Sequence, residues 1–173
     1  MCQPLPEFET PRLFLRPYQL ADVAAWLEMD MDPDVVRYVG PVGTREERRI
    51  ELTERATREF GPGLGIWCIF PRDEPQRFIG WIILIPLRDH HTIEVGYRLG
   101  KTDWGKGYAT EATAAVISHG FETLGLREIT AVTDPQNTAS QRVLAKLGFT
   151  SPGKEYAYGQ MLPIFYLKAP QPQ

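Results

Sequence analysis

Glu94-Val95-Gly96-Tyr97-Arg98-Leu99, followed after a short loop by Trp104-Gly105-Lys106-Gly107-Tyr108-Ala109-Thr110-Glu111-Ala112, decides how the whole chain is read. The first run alternates and predicts a strand, while the second is a glycine-rich turn that opens a helix. Gly105 and Gly107 allow the backbone to approach a ligand without side-chain obstruction. Unpaired amides at a helix start, reinforced by the helix dipole, face an anion, and a pyrophosphate fits that description. Lys106 would add a mobile positive charge at the rim. On its own the pattern serves a structural turn equally well. Neither G-x-x-x-x-G-K-[ST] nor G-x-G-x-x-G follows the strand, so two common nucleotide loops are excluded.

On the N-terminal side, Arg12–Arg16 alternates and predicts a strand that Pro17 ends. Apolar residues at Leu20, Val23, Ala24 and Leu27 predict a helix over Leu20–Met29. Asp32–Val39 reads as a short helix or turn. Thr44 and Glu47 form a capping box, predicting a helix that runs to about Phe60 before Gly61-Pro62-Gly63. Three strands follow, Leu64–Phe70, Phe78–Ile85 and Thr92–Leu99, joined by short polar turns as an antiparallel meander. On the C-terminal side the pattern predicts a helix over Ala109–Leu124, a strand over Arg127–Thr133 and a helix over Thr138–Leu147. Two last strands follow at Gly153–Tyr158 and Leu162–Lys168. The Pro- and Gln-rich ends, residues 1–9 and 169–173, read as frayed tails of one domain spanning 1–173.

The expected fold class is therefore α+β. A mixed, mostly antiparallel seven-stranded sheet is flanked by helices in the order β-αα-βββ-α-β-α-ββ. The strand–helix–strand segment at 92–133 requires one parallel pair. Two parallel strands whose ends separate form a cleft lined by free backbone groups.

Composition narrows the function. With 43% hydrophobic and 11% aromatic residues, a chain of 173 residues can build a core, which argues against disorder. Lys+Arg 19 against Asp+Glu 22 gives a net charge of −3, lacking the basic surplus of a nucleic-acid binder or an anionic-membrane binder. Cys2 and Cys68 make neither a disulfide framework nor a metal site, and no metal is expected. No leader or membrane-spanning stretch is legible, so a cytoplasmic setting is expected.

A second motif follows the next strand: Asp134-Pro135-Gln136-Asn137-Thr138-Ala139-Ser140-Gln141, running on to Lys146-Leu147-Gly148-Phe149. Together with the turn at Trp104–Ala109, the opening Thr10-Pro11-Arg12-Leu13-x-Leu15-Arg16 and Glu94-x-Gly96-Tyr97-x-Leu99, it resembles the GNAT acyltransferase family. The likeness is to the RimJ/RimL-like N-acetyltransferase branch and covers about residues 10 to 168.

The resemblance implies acetyl-CoA as cosubstrate and an amine as acceptor, either a protein N-terminus or a small amine or amino acid. It assigns pyrophosphate binding to Gly105, Lys106, Gly107, Tyr108, Ala109 and Thr110, and the pantetheine arm to the strand at Tyr97, Arg98 and Leu99. Asn137 would contact the cofactor arm, and Ser140 would lie near the thioester sulfur. Trp104 stands where many members carry Gln or Arg. Leu144 stands where many carry a proton-donating tyrosine, which leaves Ser140 as the candidate donor; a helix cap is the other reading of Ser140 or Thr138. A thiol has a pKa of roughly 8.5, so the leaving sulfur needs only a hydrogen bond.

A protonated acceptor amine needs a base. Glu94 is the first candidate because it begins the strand lining the cleft, with His90 and His91 as alternatives. Both readings compete with a solvated turn at Arg88–His91 and a surface Glu94. In the family the acceptor pocket draws on the N-terminal helices and the last strands, which here contain Trp26, Asp30, Asp32, Tyr38, Trp67, Tyr156 and Tyr158. The acidic pair would attract a cation if it lined that pocket, and would otherwise face solvent. A catalytically silent acyl-CoA-binding domain of the same fold is the competing function. Monomer and homodimer both remain compatible with the sequence.

Overall fold

Residues that alternate between two faces build the centre of the sheet, and each face is covered by its own pair of helices. The computed structural model describes residues 4–88 and 90–170. Its eight strands are β1 (Phe8–Glu9), β2 (Leu13–Pro17), β3 (Gly65–Pro71), β4 (Gly80–Pro86), β5 (Ile93–Leu99), β6 (Glu128–Val132), β7 (Thr150–Ala157) and β8 (Gln160–Lys168). They lie side by side in the order β1-β2-β3-β4-β5-β6-β8-β7. The helices are α1 (Val23–Asp30), α2 (Arg45–Ala56), α3 (Tyr108–Ser118) and α4 (Thr138–Lys146).

On one face Trp67, Ile69, Ile82, Leu84, Val95 and Ile129 pack under Ala112, Val116 and Leu144 of α3 and α4. On the other, Ile66, Cys68, Phe70, Trp81 and Ile83 pack under Trp26, Leu27 and Leu52 of α1 and α2. Cys68 is one of these buried residues, as its strand position predicts, and burial lifts its thiol pKa well above the ordinary value. Cys2 lies outside the described residues.

The expected element order and the mixed, mostly antiparallel sheet hold, with one strand more than the sequence reading counted. That strand is β1, whose Phe8 and Glu9 pair with Leu15 and Phe14. Residues 4–9 are therefore not a frayed tail. Trp67 Nε1 donates to the Pro6 carbonyl at 2.7 Å, and the Leu5 side chain fills the space that a Cβ on Gly65 would need. Ala169 is also held, its amide donating to the Arg127 carbonyl at 2.9 Å.

Two helices end earlier than their patterns suggest. α2 stops at Ala56, where Thr57 turns its hydroxyl back to the Glu54 carbonyl at 3.1 Å. α3 gives way after Ser118 to a π-helical turn, His119–Thr123, marked by the Leu124 amide bonding to the His119 carbonyl five residues back. The wider turn accommodates His119, whose Nε2 donates to the Gly63 carbonyl at 2.9 Å. It also brings Gly120 so close to Ile129 that a Cβ would lie 2.8 Å from its Cδ1.

β5 and β6 are the one parallel pair, in register at Glu94 and Thr130. Beyond that point β5 stays paired with β4 as far as Leu99 while β6 stays paired with β8, so the sheet opens between them.

Candidate active site

Gly107 precedes α3 in the left-handed region, with φ 80° and ψ 4°, and has no side chain with which to cap the helix. Among the described residues, the amides of Gly105 through Thr110 make no hydrogen bond within the protein; the first intrahelical bond runs from the Glu111 amide to the Gly107 carbonyl. Gly105, at φ 74°, has nothing within 4 Å of where a Cβ would stand. A run of unpaired amides at a helix start, open on the glycine side, fits a diphosphate.

The loop is braced from both sides. Arg12, just before β2, donates to the Lys106 carbonyl at 2.8 Å and pairs through Nε with Glu111 at 2.7 Å. Thr10 Oγ1 and the Arg12 amide both donate to the other Glu111 oxygen, at 2.6 and 2.8 Å. Burial pushes the Glu111 pKa up, but these donors outweigh it and hold the carboxylate below its ordinary value. The Arg12 guanidinium also lies over the Tyr108 ring, 4.8 Å from its centroid. On the other side Trp104 folds back, its Nε1 donating to the Leu99 carbonyl at 2.8 Å, which ties the loop to the end of β5. Its unusual residue type therefore has a local reason.

Lys106 is less mobile than its exposed position suggests. Its Nζ lies 3.1 Å from Asp103, a buried carboxylate that also accepts from Arg77 at 2.8 Å. Arg77 is paired in turn with Glu74 at 3.0 Å, so Lys106 sits at the edge of a charge-balanced cluster.

Across the opening, Asn137 caps α4, its side-chain oxygen accepting from the Ser140 amide at 3.1 Å. The cap is therefore Asn137, not Thr138, and the side-chain nitrogen of Asn137 has no hydrogen-bond partner among the described residues. Tyr97 reaches over from β5. Its hydroxyl lies 3.1 Å from Ser140 Oγ and donates to the Ser140 carbonyl at 3.2 Å. Burial pushes the Tyr97 pKa up to about 12, so the phenol keeps its proton. Leu144 is 1% exposed in the core below, a packing residue.

The resemblance assigns Arg98 to the cofactor arm, but the structure does not bring its side chain there. Its side chain points to the opposite face, where it pairs with Asp30 at 2.7 Å and lies over Trp81, 5.0 Å from the ring centroid. From this residue only the backbone faces the opening. Asp30 neither attracts a ligand nor faces solvent: it is 0% exposed and also accepts from Arg48 and Trp26 Nε1. Trp26 and Trp67 are core residues.

Glu94 is not a surface charge. It is 4% exposed, and burial raises its pKa to about 7 despite the opposing Tyr158 hydrogen bond and the nearby Arg55. The Tyr158 hydroxyl donates to Glu94 Oε1. His90 Nε2 donates to the Tyr156 carbonyl at 2.8 Å, and His91 is exposed. The turn at 88–91 includes Asp89, which lies outside the described residues. Arg12 and Tyr158 are the two site residues whose roles the sequence did not disclose. The pairing of Arg12 with Glu111 lay hidden in two separate motifs, and nothing in the sequence pointed to Tyr158 contacting Glu94.

A sheet opened at one parallel pair, with a glycine-rich helix start beside the opening, is an acetyltransferase architecture. A family model described as Acetyltransferase (GNAT) domain matches residues 12–150. The chain belongs to the GNAT acetyltransferase family. It is 32% identical over 157 residues to the uncharacterized N-acetyltransferase YoaA of Bacillus subtilis, covering 88% of this chain and 89% of that one. A GNAT-family acetyltransferase structure from Bacillus anthracis superposes with a TM-score of 0.76 at 26% identity, over 93% of this chain and 96% of the other. A RimL ribosomal L7/L12 α-N-protein acetyltransferase solved with coenzyme A shares the fold. Its TM-score is 0.76 at 18% identity, over 95% of this chain and 98% of the other.

Proposed function

We propose that this protein transfers an acetyl group from acetyl-CoA to a primary amine, by direct attack within a ternary complex. The observation that carries the reading is the row of unpaired amides from Gly105 to Thr110 beside the opening between β5 and β6. The amides, with the positive charge on Lys106 and Arg12, bind the diphosphate. The free edge of β5 at Tyr97–Leu99 pairs with the pantetheine arm and presents a backbone amide to the oxygen that gains charge. Asn137 contacts the arm through its side-chain nitrogen. Ser140 donates a hydrogen bond to the departing sulfur.

Glu94 takes the proton of the acceptor amine, directly or through a water. Its pKa of about 7 suits that task, because a base is most effective when its pKa lies near the working pH. The acceptor is a protein N-terminus or a small amine.

A thiol-release assay with acetyl-CoA tests the reading. The panel comprises N-terminal peptides, free amino acids and small polyamines. At least one amine is expected to accelerate release, with a much weaker effect in Glu94→Gln. Tight acetyl-CoA binding with no acceleration by any amine would instead describe a silent binding domain.

A further inference from the structure

The hairpin joining β7 to β8 closes on two residues, Tyr158 and Gly159, between the paired Ala157 and Gln160. Their φ values are 52° and 81°, the left-handed pair of a type I′ turn. Asn, Asp or Gly suits the first position of that turn, because a larger side chain crowds the backbone there. Tyr158 is the one non-glycine residue with positive φ among the described residues. Such strain persists where the surroundings hold the residue in place.

Packing does not account for it, since Tyr158 is 51% exposed. Its hydroxyl is the anchored part, and what it meets is the buried carboxylate of Glu94. Glu94 Oε1 accepts from Tyr158, whereas Oε2 has no hydrogen-bond partner among the described residues and is not sealed from solvent. One oxygen is held while the other is open to approach.

We propose that Tyr158 is a positioning residue whose strained turn carries its phenol onto Oε1 of Glu94, aiming Oε2 at the incoming amine. The proposal rests on Glu94 being the base. The other groups around this carboxylate come from separate elements. Arg55 lies in the last turn of α2, and Arg88 and His90 lie between β4 and β5. Thr130 pairs with Glu94 from β6, its hydroxyl buried without a partner. None of them is altered by changing Tyr158, so a change in the variants reports on the phenol.

The test titrates the Glu94 carboxyl by carbon-13 NMR in the full chain and follows the pH profile of thiol release with the fastest amine of the panel. In Tyr158→Phe the carboxylate loses a donor while burial remains. The titration and the acidic limb should both move up by about one pH unit. Tyr158→Asn, which relieves the turn, should melt no lower than the parent yet show the same upward movement. If either variant titrates Glu94 at the parent's pH, the positioning role is overturned. Glu94→Gln separates the two ideas. If it abolishes the acidic limb while Tyr158→Phe leaves the profile unchanged, only the role of Tyr158 falls; if the limb survives in Glu94→Gln, the base assignment falls and this proposal with it.

Discussion

The Tyr97 hydroxyl stands 3.1 Å from Ser140 Oγ, joining β5 to the first turn of α4 on the two sides of the sheet opening. Because Tyr97 also donates to the Ser140 carbonyl, it fixes the position of the serine as well as its backbone. Ser140→Ala should lower kcat by roughly ten- to a hundredfold, the scale of a lost transition-state donor. Tyr97→Phe should cost about 1 kcal/mol of stability and lower kcat several-fold. Steady-state kinetics and urea melts on both variants check this. An unchanged kcat in Ser140→Ala removes that residue from the chemistry.

Glu94 makes stability and activity depend on pH in opposite senses. Its pKa rises from an ordinary 4.5 to about 7 in the folded protein. Between those values the folded state binds more protons than the unfolded chain, so stability falls as pH rises through the window and stays lower above it. The cost is roughly 3 kcal/mol at pH 8. Glu94→Gln should therefore raise Tm at pH 8 and change it little at pH 4.5, while transfer loses its acidic limb. Thermal melts at the two pH values measure the first effect and a rate profile the second.

Arg12 holds the loop through a carbonyl and does not belong to the reacting centre. Arg12→Gln should raise the KM for acetyl-CoA about tenfold, the scale of one lost charged hydrogen bond, with a smaller effect on kcat. Gly107→Ala should act in the same direction more strongly. Its φ of 80° disfavours any side chain, and the new Cβ would lie 3.3 Å from the Arg12 guanidinium. Initial rates at varied acetyl-CoA with fixed amine report both.

Asp30 is the hinge of a buried ion cluster that fastens α1 and α2 to β5. Replacing it with Ala leaves Arg48 and Arg98 desolvated without their shared anion. A destabilisation of about 3–5 kcal/mol is expected by urea denaturation. A change below about 1 kcal/mol would mean that water or Glu51 takes over the pairing.

The order of strands and helices and the opening between β5 and β6 were legible because they rest on local patterns. Period-two runs, the Thr44–Glu47 box and the glycines at 105 and 107 all act within a few residues. What was hidden depends on distant partners. Asp30 reads as a solvated acid until Arg48, 18 residues on, and Arg98, 68 residues on, close around it. Tyr158 reads only as one aromatic among those available to an acceptor pocket until its turn brings it to Glu94, 64 residues earlier. β1 escaped because two residues show no alternation. The π turn escaped because an inserted residue leaves the apolar pattern of Ala112, Val116 and Ile117 untouched. Asn137 and Thr138 are both good caps, and side-chain propensity alone does not rank neighbours.

The central claim is that the amides from Gly105 to Thr110 grip the diphosphate of an acyl-CoA. A nitrogen-15 NMR titration of the intact chain with acetyl-CoA observes those amides one by one. Saturable shifts concentrated at Gly105–Thr110 and extending along Tyr97–Leu99 are predicted. Saturating acetyl-CoA that left these amide signals in place would contradict the account.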